Sequence, residues 1–407
     1  MSFSRQQITE LLLRGNQFYQ NGDFDSALQL YSKIRQLDPD YLPALVNIAQ
    51  CFYELKNYPE AQKYAERVLQ LDSDSVPALS LLGCLNFAVE NYDDSIRFFR
   101  QALEGDSSDV WNHNYLSQAL QKNGDFALAL DEGWTALELS GGSDSQQLNF
   151  AYALYETALE KGADFIRPWQ QKWAQKYTSD SVVRYVCSAL QNDSQTSRAD
   201  SVYVRRVFDV FADSFDEALA GLNYRVPQLI ADSLNEEKAD FPDRKLRILD
   251  LGCGTGLVAA QLKKYWPDSA VSGVDISPNM LAQAEQKNIY NQLVEADLET
   301  FLAEKKSAFD LIVAADVLTY FGDLKTIFSG VFGLLEKTGK FVFSASRNTH
   351  DNAGWFLHLS GRFQHSEIYL QKALAAAGFI LENLSPQILR EEGGEPVTGW
   401  IVTVRKP

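Results

Sequence analysis

Residues 247–256 read Arg-Ile-Leu-Asp-Leu-Gly-Cys-Gly-Thr-Gly, and this stretch decides the fold of the second half of the chain. Its apolar, β-branched start predicts a buried strand, and the helical spacing of residues 257–262 predicts a helix directly after it. Gly252, Gly254 and Gly256 lie between them, and glycines permit positive φ and close approach of a ligand to the backbone. Because a helix N-terminus offers free N–H groups and a positive dipole end, the stretch predicts a cradle for a carboxylate or phosphate.

The glycine pattern is compatible with more than one cofactor. An ATP or GTP loop needs Gly-Lys-Ser/Thr, and no Lys follows Gly256. An NAD loop needs Gly-x-Gly-x-x-Gly/Ala, which Gly254, Gly256 and Ala259 satisfy. The Asp/Glu-x-Gly-x-Gly-x-Gly pattern that S-adenosylmethionine (SAM) enzymes share is also complete from Asp250 onward. The turn alone therefore leaves NAD and SAM open.

Four further blocks follow the glycines. A second strand, 270–275, ends in Asp275, at a distance from the glycines where an acid can accept hydrogen bonds from both ribose hydroxyls. Blocks at 292–297, 309–320 and 334–343 continue the series. In this order the five blocks resemble class I SAM-dependent methyltransferases. The resemblance implies a Rossmann-like, mostly parallel seven-stranded sheet with an antiparallel last strand and SAM at its carboxyl edge.

The resemblance also implies which residues contact the cofactor. Asp297 would accept the adenine amino group, and Asp275 would bind the ribose with either cofactor. The predicted site comprises Asp250, Gly252, Cys253, Gly254, Gly256, Asp275, Ile276, Met280, Asp297, Leu298 and Ala314. The alternative, a doubly wound domain with an empty site, is disfavoured because Asp275 and Asp297 have no role in a core.

A helix with an aromatic stripe is predicted at 203–219, and core packing is one interpretation of such a stripe. The stretch also resembles the Phe-Asp-x-x-Ala-x-x-Phe/Tyr-Asp pattern of many SAM methyltransferases, in which this helix forms a lid over the cofactor. A lid excludes water and so strengthens the contacts inside a site. The resemblance implies that an aromatic hydroxyl reaches the methionine carboxylate, and the candidates for that region are Tyr203, Tyr224 and Arg225.

Methyl transfer needs a general base only if the acceptor arrives protonated. His365 is the best candidate, because an unperturbed histidine titrates near neutrality. Asp316 and Tyr320, just past the fourth strand, are alternatives, and any of the three could equally be an ordinary hydrogen-bonded residue. An acidic, aromatic pocket would suit an amine, and it could also hold a carboxylate or a phenol. The histidines show no metal-ligand spacing, so no metal is expected.

Residues 8–142 repeat with a period of 34 and resemble tetratricopeptide repeats. The repeating small residues let paired helices approach closely; they are Ala27, Ala61, Ser95 and Ala129, and Gly15, Ala49, Gly83 and Ser117. Residues 145–190 resemble a degenerate capping pair. An α-solenoid of this kind has a concave groove, and its amides and aromatics would suit an extended peptide. The alternative is that these residues are only solvated, or that the groove packs on the catalytic domain. The predicted groove residues are Asn16, Tyr19, Gln50, Tyr53, Phe87, Asn114, Gln118 and Lys122.

The predicted domains are therefore the repeats at 1–190, a polar linker at 191–201 and a methyltransferase domain with its lid at 202–407. This arrangement resembles bacterial tetratricopeptide-repeat methyltransferases over nearly the whole chain. Three functions remain open: methyl transfer to a protein, peptide or small molecule; a scaffold whose methyltransferase fold senses SAM or is inactive; and an NAD-linked dehydrogenase. The acceptor and the oligomeric state are not predicted.

The composition of the chain limits the kinds of partner and the cellular compartment that are expected. The formal net charge of −17 opposes binding to nucleic acid. The four cysteines form no Cys-x-x-Cys pair, which favours free buried thiols in a reducing compartment. No apolar run is long enough to span a bilayer and no apolar signal core opens the chain, so a cytoplasmic protein is expected.

Overall fold

The computed structural model describes residues 5–191, 193, 195–235, 245–304, 308–349, 354–392 and 394–407. The chain divides into two compact units, Met1–Gly162 and Ala163–Pro407. The sequence predicted that the repeats continue to residue 190, but the helices between 163 and 190 belong to the second unit.

Within its described residues the first unit is entirely helical. Its helices are α1 (Arg5–Gln20), α2 (Phe24–Leu37), α3 (Leu42–Glu54), α4 (Tyr58–Leu71), α5 (Val76–Ala88), α6 (Tyr92–Gly105), α7 (Val110–Asn123), α8 (Phe126–Leu139) and α9 (Asp144–Lys161). Helices α1 to α8 form antiparallel pairs in chain order, as repeats of 34 residues predict. The α-solenoid expected for this part of the chain is confirmed.

The small residues of the repeat lie where paired helices touch. A Cβ atom on Gly15 would lie 2.4 Å from Cε1 of Tyr31, and one on Gly83 would lie 2.6 Å from Cε1 of Phe99. In the next pair Ser117 Oγ donates a hydrogen bond to the carbonyl of Ala129 at 2.7 Å. Real Cβ atoms do not approach this closely, so the ring on one helix requires a residue without a side chain on the other.

The second unit combines helices with two sheets. Its helices are α10 (Ala163–Lys176), α11 (Ser181–Leu190), α12 (Ser201–Phe211), α13 (Phe215–Gly221), α14 (Val226–Asn235), α15 (Leu257–Tyr265), α16 (Pro278–Gln286), α17 (Leu298–Glu304), α18 (Lys325–Leu334) and α19 (Glu367–Ala377). Its strands are β1 (Arg247–Leu251), β2 (Ala270–Asp275), β3 (Gln292–Glu295), β4 (Phe309–Ala314), β5 (Leu335–Ser346), β6 (Trp355–Leu357), β7 (Phe363–His365), β8 (Ile380–Glu392) and β9 (Glu395–Arg405).

The main sheet has seven strands in the order β3-β2-β1-β4-β5-β9-β8, and β6 pairs with β7 separately. Strands β1 to β5 are parallel, whereas β9 runs antiparallel to both β5 and β8. The predicted Rossmann-like sheet with an antiparallel last strand is confirmed. The order reverses direction between β1 and β4, where ligands bind at the carboxyl edge of such sheets.

Helices cover both faces of the sheet, which explains why β4 is buried along its whole length. On one face Ile248 and Val313 pack with α14 and α15. On the other face Leu249 and Ile312 pack with α17, α18 and α19. Alternate residues of each strand therefore serve two cores, and the carboxyl ends of β1, β2 and β4 open at one edge.

The predicted linker is part of the second unit where it is described; residues 192 and 194 lie outside the described residues. The N–H of Ala199 donates to the carbonyl of Tyr320 at 2.8 Å, and the N–H of Gly322 donates to Ser197 at 2.8 Å. This backbone pairing explains why a polar, turn-like sequence is ordered against the sheet edge.

The four cysteines, Cys51, Cys84, Cys187 and Cys253, are free and buried, as the sequence predicted. No helix among the described residues is long and apolar enough to cross a membrane.

Candidate active site

The glycine loop after β1 is held by the acid that ends β2. Gly252, Gly254 and Gly256 have φ values of +64°, +52° and +93°, in the region that disfavours other residues. Asp275 Oδ2 accepts a hydrogen bond from the N–H of Gly254 at 2.8 Å, and its Oδ1 accepts one from Ser277 at 2.9 Å. The second strand therefore fixes the shape of the loop that follows the first.

Each glycine meets different surroundings. A Cβ atom on Gly252 would lie 2.5 Å from Cγ2 of Val317, and one on Gly256 would lie 2.9 Å from Cε2 of Tyr290. At Gly254 the nearest atom would be Cε1 of Phe215, 3.9 Å away. The outer glycines allow the loop to pack against the protein, whereas the middle one opens onto empty space.

That space is a cavity at the carboxyl edge of the sheet, bounded by the loop, the strand ends, α12 and α13. Ten of the residues predicted for the site line it: Tyr224, Gly252, Cys253, Gly254, Asp275, Ile276, Asp297, Leu298, Asp316 and Tyr320. Seven do not: Tyr203, Arg225, Asp250, Gly256, Met280, Ala314 and His365. The motif therefore predicted the position of the cavity, but not which of the neighbouring residues line it.

Several of these seven residues support the cavity from behind. Asp250 is buried and accepts a hydrogen bond from the hydroxyl of Tyr290 at 2.8 Å, and its burial raises its pKa to about 7. Met280 and Ala314 are fully buried in the core. Their positions beside the motif reflect packing of the loop and strands.

Of the candidates for the methionine carboxylate, the structure places one on the cavity wall. Tyr203 packs its ring against Tyr185, with centroids 4.6 Å apart, and Arg225 is exposed and donates its N–H to Leu389. Tyr224 lines the cavity, and burial raises the pKa of its hydroxyl, so it remains a neutral hydrogen-bond donor.

Asp297 has a partner that the sequence did not reveal. Its carboxylate forms an ion pair with Arg198, which also pairs with Glu299. Asp297 also accepts the N–H of Glu299 at 3.1 Å and so caps α17. Both Arg198 and Asp297 line the cavity, so a ligand that approaches Asp297 meets a carboxylate already bound to a guanidinium.

The structure argues against His365 as a general base. Its side chain is fully buried, it does not line the cavity, and its Nε2 lies 2.9 Å from the carbonyl oxygen of Phe321. Because a carbonyl only accepts, Nε2 carries the proton and donates it. Burial lowers the pKa of His365 to about 4, which keeps the ring neutral. His365 fastens β7 to the segment after β4.

Asp316 lies at the end of β4 in a left-handed conformation, with φ of +53°. Its Oδ1 accepts a hydrogen bond from Ser344 at 2.8 Å, and its Oδ2 pairs with Arg390 at 3.1 Å. A residue held in this backbone region by surrounding contacts is typical of functional sites. Tyr320, on the short 3₁₀ helix Leu318–Tyr320, also lines the cavity, and burial raises its pKa.

Besides Arg198, two arginines of the cavity wall, Arg362 and Arg390, were not predicted. Glu392 Oε1 binds both, at 3.1 Å from Arg362 Nη1 and 2.7 Å from Arg390 Nε. Burial opposes ionisation of Glu392, but the two arginines outweigh it and lower its pKa. Both arginines lie in the C-terminal part of the chain, where no local sequence pattern indicates that they turn toward the cavity.

Helices α12 and α13 cover the cavity as the predicted lid would. Neither helix has a fully buried residue among its own, yet Val204, Phe208, Phe215 and Leu219 line the cavity. The aromatic stripe therefore faces the site, with Phe208 packed edge-on against Tyr320 at 5.7 Å.

Polar contacts hold the lid to the rim of the site. Asp216 accepts hydrogen bonds from Thr255 at 2.5 Å and from Lys287 at 2.6 Å. Asp209 accepts one from the hydroxyl of Ser277 at 2.6 Å. These contacts connect the lid to the glycine loop and to the start of α16, the two segments that shape the cavity.

Comparisons with known proteins give matches in both units of the chain. Residues 248–339 match the family model for a methyltransferase domain, and residues 18–83 match one for a tetratricopeptide repeat. Methyltransferase-like protein 27 of Homo sapiens is 42% identical over 87 residues, covering 21% of this chain and 34% of that protein. Malonyl-[acyl-carrier protein] O-methyltransferase of Halalkalibacterium halodurans is 32% identical over 107 residues, covering 25% of this chain and 38% of that protein.

Trans-aconitate 2-methyltransferase of Escherichia coli O1:K1 / APEC is 43% identical over 54 residues, covering 13% of this chain and 21% of that protein. This chain thus spans less than two fifths of the length of these relatives. Among solved structures, magnesium protoporphyrin IX methyltransferase of Synechocystis PCC 6803 with bound SAH has a TM-score of 0.41 and 19% sequence identity. The match covers 51% of this chain and 100% of that one.

The family matches lie where the sequence predicted repeats and a SAM fold, and the methyltransferase match spans the glycine loop and β1 to β4. The chain therefore contains a stretch that matches methyltransferase domains, within the second unit, and a stretch that matches tetratricopeptide repeats, within the first.

Proposed function

We propose that the second unit binds SAM in the cavity and transfers its methyl group to an acceptor that enters beside Asp316 and Tyr320. The observation that carries the proposal is the glycine loop. Gly254 leaves space on the cavity side while Asp275 holds the loop from behind. A loop kept open at the switch point of the sheet is suited to a ligand that must touch the backbone.

The residues present fit an adenosyl ligand. Each oxygen of Asp275 accepts one backbone N–H, and each has a further lone pair that can accept a ribose hydroxyl. Ile276 and Leu298 offer apolar contacts for a planar base. The N-terminal turn of α15 has N–H groups without helical partners, which favour a carboxylate.

When bound, SAM supplies a methyl group already activated on a sulfonium sulfur. The chain then has to orient the acceptor and exclude water. Orientation of this kind can lower a barrier by ~7–11 kcal/mol. Phe208 and Phe215 of the lid close the cavity with apolar surface, which strengthens polar contacts inside it. The relatives named for methyl transfer to malonyl-[acyl-carrier protein] and trans-aconitate support a small or carrier-borne acceptor.

We propose in addition that the repeats recruit a protein or peptide. Tyr19, Tyr53 and Phe87 recur at the period of the repeat, and none of the three is buried. Each packs on the aromatic residue that starts the next helix, with ring centroids 5.3 to 5.7 Å apart. A fixed row of partly exposed rings can bind apolar side chains of an extended chain.

Binding and transfer should be measured on the full chain. We expect calorimetry to detect SAM and SAH binding but no NAD binding, and labelled SAM to transfer its methyl group to a lysate fraction. Asp275→Ala should abolish SAM binding, whereas Asp268→Ala, an exposed acid just before the same strand, should not. NAD binding without SAM binding would support a dehydrogenase, and SAM binding without transfer would support a sensing scaffold.

A further inference from the structure

We infer that the methyl acceptor is a carboxylate, that Arg362 binds it, and that it reacts without a general base. The inference rests on the proposed methyl transfer and adds the chemical class of the acceptor. Two observations carry it: the position of Arg362 on the cavity wall, and the contacts that already occupy the carboxylates there.

Arg390 and Arg362 differ in how many ion pairs their guanidinium groups already form. The side chain of Arg390 is 6% exposed and forms ion pairs on two sides, with Glu392 at 2.7 Å and Asp316 at 3.1 Å. The side chain of Arg362 is 38% exposed, pairs with Glu392 through Nη1 at 3.1 Å and hydrogen-bonds the side chain of Tyr320, which leaves some of its five N–H donors for a ligand. A guanidinium has five N–H donors in a planar fork that matches a carboxylate. Arg390 fixes the wall, and Arg362 can present its fork to a ligand.

The acidic side chains of the described wall have donors of their own. Asp275 binds two backbone N–H groups, Asp297 pairs with Arg198, and Asp316 is bound by Ser344 and Arg390. These contacts already occupy lone pairs of all three carboxylates. A cationic acceptor would find no carboxylate without a partner among them, whereas an anionic acceptor would find Arg362.

Three groups at or near the cavity, His365, Tyr320 and Tyr224, are unsuited to removing a proton. His365 is buried behind the cavity with its Nε2 proton donated to carbonyls. Burial raises the pKa of Tyr320 and of Tyr224, so both hydroxyls stay protonated and act as donors. An alkylammonium acceptor, with a pKa near 10, would have to lose a proton before reacting, whereas a carboxylic acid is already ionised at neutral pH.

The step then balances without proton transfer. A lone pair of the carboxylate oxygen forms a bond to the methyl carbon while the carbon–sulfur bond breaks, and that electron pair remains on sulfur. The anion becomes a neutral methyl ester and the sulfonium becomes a neutral thioether. Because the ester is uncharged, its contact with Arg362 is no longer charge-assisted, which favours product release.

This role predicts a specific kinetic signature. Arg362 would bind the carboxylate most strongly in the ground state, since negative charge on the oxygen decreases as the new bond forms. Its loss should therefore raise KM for the acceptor at least about tenfold, the value of one charge-assisted hydrogen bond, with little change in kcat. A residue that only maintained the fold would lower kcat or SAM affinity as well.

The first experiment identifies the bond that is made. The full chain is incubated with methyl-tritiated SAM and the small-molecule and protein fractions of a lysate, and labelled products are treated with alkali. Methyl esters release tritiated methanol, whereas N-methyl products and alkyl ethers do not. Alkali-labile label supports the inference; alkali-stable label overturns it but leaves methyl transfer intact; absence of label despite SAM binding overturns both.

The second experiment tests Arg362 with the labelled fraction as acceptor. We expect Arg362→Gln to raise KM, Arg362→Lys to restore part of the loss, and SAM affinity measured by calorimetry to stay within twofold. Arg405→Gln, which removes a similar ion pair with Glu382, is the matched control and should change neither the KM for the acceptor nor the affinity for SAM. An unchanged KM in Arg362→Gln, or an equal loss in Arg405→Gln, would overturn the assignment.

Discussion

Replacing Gly254 by alanine tests the cradle directly. Gly254 has φ of +52°, and an added Cβ atom would meet no protein atom closer than 3.9 Å. The only cost to the apoprotein is backbone strain, about 1–2 kcal/mol for a residue with a side chain in this region. In a unit of this size, that cost corresponds to a fall in Tm of roughly 2–8 °C.

The expected effect on the ligand is larger. The new methyl group would occupy the space in which SAM approaches the backbone, and overpacking of this kind costs ~1–3 kcal/mol. The Kd for SAM should therefore rise roughly 5- to 150-fold. Calorimetry with SAM and with SAH gives the Kd, and scanning calorimetry of the apoprotein gives the Tm.

Gly124→Ala is the matched control. Gly124 ends α7 in the repeats with φ of +89°, and no atom lies within 4 Å of its ideal Cβ position. The two substitutions therefore carry similar strain, but only one places a methyl group in the cavity. Wild-type SAM affinity in Gly254→Ala would refute the placement of the cofactor, and equal losses in both variants would show that strain alone is responsible.

Two further predictions concern the lid and His365. Asp216→Asn should speed SAH release several-fold, measured by stopped flow, because it weakens the contacts to Thr255 and Lys287 that hold the lid. The control variant Glu217→Gln changes the exposed neighbouring residue and should release SAH at the wild-type rate. Equal release rates in the wild type and both variants would contradict a lid role. His365→Gln should lower Tm, but the dependence of kcat/KM on pH should keep the same ionisations as in the wild type. Loss of one ionisation from that profile would show that His365 acts as a base. The pKa of His365 is lowered from 6.5 to about 4, so the unfolded chain binds the extra proton first and stability falls as pH drops through that window. Denaturant unfolding between pH 4 and 7 should show a weaker pH dependence in the variant.

The sequence predicted the features that depend on local pattern. The 34-residue period identified the small residues that face Tyr31 and Phe99, because helix pairing repeats with the chain. The glycines after β1 and the acid after β2 identified the cavity, because both follow directly from strand ends. The parallel sheet and its ligand-binding edge were implied by the resemblance of the five sequence blocks to SAM-dependent methyltransferases.

The features that the sequence missed depend on contacts between distant residues. Arg198 and Asp297 are 99 positions apart, and Arg390 and Asp316 are 74 apart, so neither pair has a local signal. His365 was predicted as a base from its ordinary pKa, which burial changes. The boundary predicted at residue 190 followed polar composition, whereas the fold joins residues 163–190 to the second unit.

The most direct test of the account is a crystal structure of the protein with SAH. We expect density for the adenosyl group in the cavity, with its ribose on Asp275 and its chain passing Gly254. Density for SAH at any other place, or a cavity that remains empty at saturating SAH, would contradict the central claim that this cavity is the SAM site.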